Sequence, residues 1–234
     1  MMNGIPTEAL DPIAASDPGR PFVVAQLGQS LDGRIATPTG ASKYINGPTA
    51  LAFLHCLRAS VDAVVVGIGT VLADDPLLTV RRVAGHSPAR VIIDPNGRLP
   101  RGAKCLSDDG TAIYVIAPHG KCHIASVPTL SVAAGPEGMD PHAIVNVLFE
   151  TGLRRILIEG GARTLSRFLA AGAVDRLYLL IAPILLGSGQ PGLVLPPIDG
   201  LDEALRPATR CYSLGEGDVL FDCCFRSAHR ETKP

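Results

Sequence analysis

The chain lacks tryptophan and is poor in aromatic residues, with six phenylalanines and four tyrosines among 234 residues. It therefore offers no aromatic platform on which nucleic-acid bases would stack, and its core must be built from Val, Leu, Ile and Ala. An excess of charge of either sign is also missing, because 21 basic residues face 22 acidic residues. Nucleic acid is not an expected partner, since binding phosphate backbones needs clustered Lys and Arg.

Cysteine pairs with metal-binding spacing are absent, because none of the six cysteines forms a Cys-x-x-Cys pair. We expect reduced thiols and no metal site. The longest apolar run, residues 177–186, is too short to cross a bilayer and is broken by Pro183. Residues 1–20 lack the basic start and apolar stretch of a targeting peptide. We expect a cytoplasmic protein that does not bind membranes.

Three common motifs are also missing. The chain has no Gly-x-x-x-x-Gly-Lys-Ser/Thr phosphate loop, no Gly-x-Ser-x-Gly nucleophile elbow, and no Gly-x-Gly-x-x-Gly after its first strand. A standard dinucleotide-binding Rossmann domain is therefore disfavoured.

Two apolar runs do end in glycine-rich turns that open helix-like segments. The first is residues 62–70 (DAVVVGIGT), and the second is residues 155–167 (RILIEGGARTLSR). Glycine lets a backbone approach a ligand closely, and the amides at the start of the next helix attract phosphate. Two such turns indicate an enzyme that uses a nucleotide cofactor.

The rest of the chain alternates between strand-like and helix-like segments, which predicts one α/β domain with a mixed sheet. We expect a flexible arm over residues 1–20, a single domain over 21–226 and a flexible tail over 227–234. The predicted strands are 22–27, 61–67, 90–94, 111–117, 155–159 and 176–186, with a C-terminal hairpin of 209–213 and 218–226. The predicted helices are 48–60, 141–150 and 162–171.

Several blocks resemble the pyrimidine reductase of riboflavin biosynthesis, over residues 21–226. They are Ser30–Ala36 (SLDGRIA), residues 40–45 (GASKYI), Leu57-Arg58, residues 62–70, Ala73–Arg81 (ADDPLLTVR), Glu159–Gly161 and residues 175–189. The resemblance implies a fold similar to dihydrofolate reductase: a mixed, mostly parallel sheet flanked by helices, with a C-terminal antiparallel hairpin. It also implies a homodimer, for which the 176–186 strand and the hairpin are candidate contact surfaces.

The resemblance implies that NADPH reduces the ribosyl group of 5-amino-6-(5-phosphoribosylamino)uracil at C1′. Because the cofactor supplies the hydride, we expect no catalytic nucleophile. In bacteria this reductase is commonly fused to a deaminase. The His-x-Glu and Pro-Cys-x-x-Cys signatures of such a zinc deaminase are absent here, so another polypeptide is expected to supply deamination.

The resemblance also assigns site residues. The cofactor is expected to contact Gly28, Tyr44, Thr70, Asp74, Gly161, Ala162, Arg163, Thr164, Leu165, Ser166 and Arg167. The substrate is expected to contact Ser42, Arg58, Leu78, Arg81 and Glu159.

Residue chemistry fits these roles, but structural alternatives stay open. Two arginines suit a 5-phosphate, because a guanidinium offers paired donors, and Glu159 suits the donor edge of an aminopyrimidine. Alternatively, Arg58 and Glu159 are partners of helix dipoles, Thr70 is an N-cap, and the Gly160-Gly161 pair is only a tight turn.

Other polar residues are assigned structural rather than catalytic roles. Asp32 precedes Gly33 in a turn and Asp75 precedes Pro76, which favours local structure. We do not propose His55 as catalytic, since a lone helical histidine is more often packed or exposed.

Two positions depart from the family pattern. Tyr44 stands where many members have Trp. Pro95 stands where Ser is common, at a position near the adenosine end of the cofactor in the family. The loss of this hydroxyl weakens the expected preference for NADPH over NADH. Arg98 or Arg101 is a candidate replacement contact for the 2′-phosphate.

Two other functions fit the same fold: reduction of another pterin-like substrate such as dihydrofolate, and a non-catalytic nucleotide-binding role. The residues also leave open whether the substrate is the uracil or the undeaminated diaminopyrimidine.

Overall fold

A computed structural model of the chain describes residues 4–43, 45–121 and 124–225. The helices in these ranges are α1 (Asp11–Ala14), α2 (Pro48–Ala59), α3 (Ile68–Asp74), α4 (Pro141–Glu150) and α5 (Ala162–Ala170). The strands are β1 (Phe22–Ser30), β2 (Arg34–Ala36), β3 (Ala63–Gly67), β4 (Ala89–Ile93), β5 (Ile113–Ala117), β6 (Thr129–Ser131), β7 (Ala134–Gly135), β8 (Gly138–Met139), β9 (Arg155–Glu159), β10 (Arg176–Ala182), β11 (Gln190–Pro191), β12 (Ala208–Ser213) and β13 (Val219–Cys224).

Nine of these strands form one sheet in the order β12-β13-β10-β1-β9-β3-β4-β5-β6. Strands from β10 to β6 in this order pair in parallel, whereas β13 pairs antiparallel with both β10 and β12. The predicted fold class, a mostly parallel sheet with a C-terminal antiparallel hairpin, is confirmed. Two small sheets, β2 with β11 and β7 with β8, were not predicted.

The central strands are buried on both faces, and this explains their continuous apolar sequences. In β3, Val64 and Val66 belong to one apolar cluster and Ala63 and Val65 to the other, because successive side chains point to opposite faces. The first cluster includes side chains of α2 and α3, and the second includes side chains of α4 and α5. The helices therefore cover the sheet on both sides.

Helix α2 begins with Pro48, whose fixed φ and missing N–H suit the first turn of a helix. Its N-terminus is held by the C-terminal hairpin. The carboxylate of Asp218 accepts a hydrogen bond from the Gly47 amide at 2.7 Å, and Glu216 Oε2 lies 3.5 Å from the Thr49 amide. These contacts satisfy amides that an isolated helix would leave unpaired.

The N-terminal segment differs from the expected flexible arm. Residues 7–14 form a short 3-10 turn followed by α1, and Ala9 and Ile13 are buried in the cluster that also contains α2. The hydroxyl of Tyr178 donates a hydrogen bond to the Ala9 carbonyl at 2.6 Å. Apolar residues in this polar stretch therefore anchor it to the sheet. Residues 226–234, which contain the expected tail and the last domain residue, lie outside the described residues.

Strand β10 ends at Ala182, four residues earlier than expected, because Pro183 has no N–H to donate to a ladder. It also lies between β1 and β13, so both of its edges are paired and neither can extend the sheet into a second copy. The expected dimer contact through this strand stays a prediction. Among the residues that the structure describes, strand β12 is the outermost strand on this side of the sheet. Within the described residues, no helix is long and apolar enough to cross a membrane.

Candidate active site

A cleft of about 1400 Å³ lies along the carboxyl ends of strands β1, β9 and β3. Ligands of open α/β sheets bind at this edge, because the loops and helix starts that follow parallel strands meet there. The walls come from both predicted glycine turns, from the first half of α2, from β2 and β11, and from residues 194–196.

The two glycine turns interlock, because β3 and β9 are adjacent and parallel. A Cβ atom on Gly161 would lie 2.7 Å from Thr70 Oγ1, and one on Gly67 would lie 2.3 Å from Thr164 Oγ1. Gly160 and Gly161 also have φ values of +66° and +64°, a region that side chains rarely adopt. Glycine is therefore required here for both backbone conformation and space.

Most residues predicted to bind the cofactor line this cleft. They are Gly28, Thr70, Asp74, Gly161, Ala162, Arg163, Ser166 and Arg167. Helix α5 starts at the cleft, so its first amides and its positive dipole end face the open space. Tyr44 lies outside the described residues, and the expectation for it stays a prediction.

Two predicted cofactor residues, Thr164 and Leu165, do not line the cleft, and two that do, Thr70 and Ser166, also have structural contacts. Leu165 is fully buried in the core, and Thr164 does not line the cleft but packs against Gly67. Ser166 Oγ accepts a hydrogen bond from the Val194 amide at 2.9 Å, which ties the 194–196 wall to α5. Thr70 lies inside α3, whose N-cap is Gly67, so its alternative role as an N-cap is wrong.

Glu159 and Arg58 form a buried ion pair at the end of β9. Arg58 Nε and Nη2 donate to the two carboxylate oxygens at 2.8 and 2.5 Å, and Nη1 donates to the Thr79 carbonyl at 2.9 Å. Burial opposes the charge of Arg58, but the charge of Glu159 and its hydrogen bond together outweigh burial and raise the pKa of the guanidinium. Only 6% of the Arg58 side chain and 11% of the Glu159 side chain are exposed.

We expected both residues of this pair to contact the substrate directly, but the structure gives them different positions. Glu159 lines the cleft, whereas Arg58 does not, and three of the five guanidinium donors of Arg58 are already used within the protein. Glu159 therefore has a specific partner, Arg58, and does not serve only a helix dipole. Arg58 fixes the orientation of this carboxylate.

The segment that carries Leu78 and Arg81 follows α3. Leu78 is 1% exposed and has a φ of +60°, so its side chain packs in the core while its backbone is strained. Arg81 is exposed, and its amide donates to Nδ1 of the buried His55 at 3.0 Å. Burial and the positive charge of Arg58 lower the pKa of Arg81. Neither side chain lines the cleft.

Ser42 lines the cleft, and its hydroxyl lies 3.5 Å from Asp74 Oδ1.

Asp32 has the structural role that we expected: it accepts from the Ser30 hydroxyl at 2.5 Å and from the amides of Leu186 and Gly187 at 3.1 and 2.7 Å. The hydrogen bonds from Ser30 and Leu186 lower the pKa of Asp32 to about 2. Asp75 is likewise structural, because it ends α3 and binds Lys104.

The sequence did not reveal several cleft residues. Gln26 and Asn46 line it, and a Cβ on Gly28 would lie 2.1 Å from Asn46 Oδ1. The Asn-Gly-Pro start of α2 was a detectable signal for Asn46, since such residues precede helices. The sequence contains no comparable signal that residues between 190 and 196 would line the cleft. Arg98 and Arg101, the candidates for a 2′-phosphate contact, are exposed and do not line the cleft.

The sheet, the cleft at its carboxyl edge and the paired glycine turns together define an α/β enzyme with a nucleotide-sized binding site. Comparison with known families identifies it further. Residues 21–208 match the RibD C-terminal domain model, and the chain belongs to this family.

Individual relatives agree with this assignment. The 2,5-diamino-6-ribosylamino-4(3H)-pyrimidinone 5′-phosphate reductase of Methanothermobacter thermautotrophicus is 37% identical over 211 residues, covering 86% of this chain and 97% of that protein. The riboflavin biosynthesis protein RibD of Aquifex aeolicus is 36% identical, covering 86% of this chain but 57% of its own length. The chain thus spans little more than half of this RibD protein.

Solved structures show the same fold. The Acinetobacter baumannii RibD structure has a TM-score of 0.76 and 31% identity, covering 93% of this chain and 61% of that chain. The riboflavin biosynthesis reductase Rib7 of Saccharomyces cerevisiae also has a TM-score of 0.76, with 25% identity, and the match covers 93% of this chain and 98% of that chain.

Proposed function

We propose that this protein catalyses the NADPH-dependent reduction of 5-amino-6-(5-phosphoribosylamino)uracil at the ribosyl C1′ during riboflavin biosynthesis. The observation that carries this proposal is the meeting of the two glycine turns and the Glu159–Arg58 pair at one cleft, in a member of the RibD C-terminal domain family. A nucleotide and a pyrimidine would then lie side by side along the sheet edge.

The residues at the start of α5 fit a dinucleotide phosphate. Gly161 gives the backbone room to approach, the first amides of α5 point to the cleft, and Arg163 and Arg167 add positive charge to the same wall. When bound, NADPH supplies the hydride, so the chain has to orient the two ligands and exclude water. The preference for NADPH over NADH is part of this proposal and is tested below.

On the substrate side, Glu159 is the proposed acceptor for pyrimidine N–H groups. Its two oxygens have more acceptor positions than Arg58 uses, so the carboxylate can hold a ring edge while it remains paired. We propose that the exposed guanidinium of Arg81 binds the 5-phosphate, with Ser42 and the Leu78 backbone as further contacts. Arg58 contributes through Glu159.

A second candidate substrate is the undeaminated 2,5-diamino-6-ribosylamino-4(3H)-pyrimidinone 5′-phosphate. The observation in its favour is the archaeal relative named for that reaction, which aligns over 97% of its length. A 2-amino group would be an additional donor toward a carboxylate such as Glu159.

Steady-state oxidation of NADPH tests these assignments. Purified protein is assayed with each of the two ribosylaminopyrimidines, with dihydrofolate as a control substrate and with NADH as a control cofactor. Turnover with the uracil supports the primary proposal, and turnover with only the diaminopyrimidinone transfers it to the second candidate. Turnover with dihydrofolate alone, or with none of the three, overturns both.

We also propose a homodimer. Strand β12 is the outer strand of the sheet and is mostly exposed, and exposed apolar side chains, including Leu185 and Leu201, lie in the connection that precedes it. Such an edge and apolar surface favour association with a second copy. Light scattering coupled to size exclusion should give twice the monomer mass of 24.4 kDa; a monomer at micromolar concentration would contradict the proposal.

A further inference from the structure

One turn of α2 holds the segment that carries Arg81, and it does so through two side chains. Arg58 Nη1 donates to the carbonyl of Thr79 at 2.9 Å, and His55 Nδ1 accepts from the amide of Arg81 at 3.0 Å. His55 and Arg58 are three residues apart, so both lie on the same side of the helix. The helix therefore grips the 79–81 backbone at two successive points.

The segment needs such restraint because its backbone is strained. Leu78 has a φ of +60°, a conformation that a leucine does not adopt unless its surroundings impose it. The buried Leu78 side chain anchors one end of the 78–81 segment in the core. Release of the Arg81 amide would let the other end relax and move the guanidinium.

His55 is built to act as an acceptor. It is 4% exposed, and its Nδ1 must lack a proton to accept from an amide, so the neutral ring carries its proton on Nε2. Burial, together with the charges of Arg58 and Arg81, lowers the pKa of His55 to about 4. The ring therefore stays neutral at physiological pH.

We infer that His55 is a positioning residue for substrate binding, which holds the Arg81 backbone so that its guanidinium meets the 5-phosphate. This inference rests on the proposed function, because it gives Arg81 the phosphate contact. His55 itself is not expected to touch the substrate or the cofactor, since its side chain is buried, whereas that of Arg81 is exposed.

The test compares His55→Leu with His55→Asn. Leucine fills much of the space but cannot accept, whereas the side-chain oxygen of Asn can take the place of Nδ1. His55→Leu should raise the KM for the phosphorylated substrate about tenfold, while His55→Asn stays within about threefold of wild type. In both variants kcat and the Kd for NADPH should stay within about threefold. Exposed His119→Leu is the matched control and should leave every value unchanged.

Hydrogen exchange of the Arg81 amide is measured on the same proteins without any ligand. The amide should be protected in wild type and in His55→Asn and should exchange at least about tenfold faster in His55→Leu. An unchanged KM in His55→Leu, or equal losses in the Leu and Asn variants, would overturn the inference. If wild type does not turn over the substrate, the proposed function fails. Equal exchange rates of the Arg81 amide in all variants would then also refute the positioning role. Faster exchange in His55→Leu alone would show that His55 holds the Arg81 backbone, independently of the substrate.

Discussion

The two sides of the cleft are built in different ways. The side assigned to the cofactor consists of backbone: two glycine turns that interlock through Thr70 and Thr164, followed by the start of α5. The side assigned to the substrate depends on side chains that reach across the fold: α2 holds Glu159, which lines the cleft, and the Arg81 segment, which lies outside the cleft lining. Glycine patterns that are visible in the local sequence mark the first side, whereas only the contacts in the folded chain identify the second.

Breaking the Glu159–Arg58 pair should have the largest effect, because it damages both the fold and the substrate side. Glu159→Ala leaves a buried guanidinium without its partner and should lower the free energy of unfolding by about 3–5 kcal/mol. Urea denaturation measures the loss. The double variant Arg58→Met/Glu159→Gln removes both charges and should be more stable than Glu159→Ala. Both variants should lose activity, because each lacks the carboxylate that we propose to accept from the pyrimidine. A double variant no more stable than Glu159→Ala would argue against the buried pair.

Removal of the Arg81 guanidinium should affect the substrate side alone. Arg81→Ala is expected to raise the KM for the phosphorylated substrate about 10- to 100-fold, the range for loss of a charged hydrogen bond of about 1.5–3 kcal/mol. The Kd for NADPH and the free energy of unfolding should not change, because the side chain is exposed. The neighbouring exposed Arg82→Ala is the control. If both variants give the same KM increase, Arg81 has no specific role.

A substitution at Gly161 should affect the cofactor side. Gly161→Ala places a Cβ 2.7 Å from Thr70 Oγ1 at a φ of +64°, and should weaken NADPH binding about tenfold, a change that fluorescence titration can measure. Gly172→Ala is a matched control, because its φ is +67° but its Cβ would meet open space outside the cleft. That control should lose about 1 kcal/mol of stability without losing affinity. Equal NADPH affinity in the two variants would contradict the proposed placement.

A change of pH should also affect the substrate side. His55 has a pKa of about 4 in the folded protein, below the value near 6.5 of an unfolded histidine. The unfolded state therefore binds the proton first as the pH falls, so stability is full above about pH 6.5 and decreases toward pH 4. The urea midpoint should show this decrease in wild type and a shallower one in His55→Asn. Identical slopes would mean that His55 does not titrate as described.

The same contrast explains what could be predicted from the sequence. Strands β3, β4, β5 and β9, helices α2, α4 and α5 and both glycine turns were predicted to within two residues, because burial on both faces and glycine turns leave local patterns. The end of β10 was misplaced by four residues, and β6 and the strands of the two small sheets were not predicted. Nothing near Arg58 in the sequence indicates that Glu159, 101 residues later, is its partner. Nor does an isolated histidine indicate that His55 accepts from Arg81. The N-terminal segment was missed because its few buried residues, Pro6, Ala9 and Ile13, do not form a regular pattern.

The carboxylates of Glu216 and Asp218 at the start of α2 have a consequence for the order in which the enzyme assembles. Helix α2 is made early in synthesis, yet the groups that hold its first amides lie 167 and 171 residues further along the chain. Until the ribosome has passed residue 218, the helix that carries His55 and Arg58 lacks these partners. The side of the cleft assigned to the substrate is therefore completed late, after both glycine turns have been synthesised.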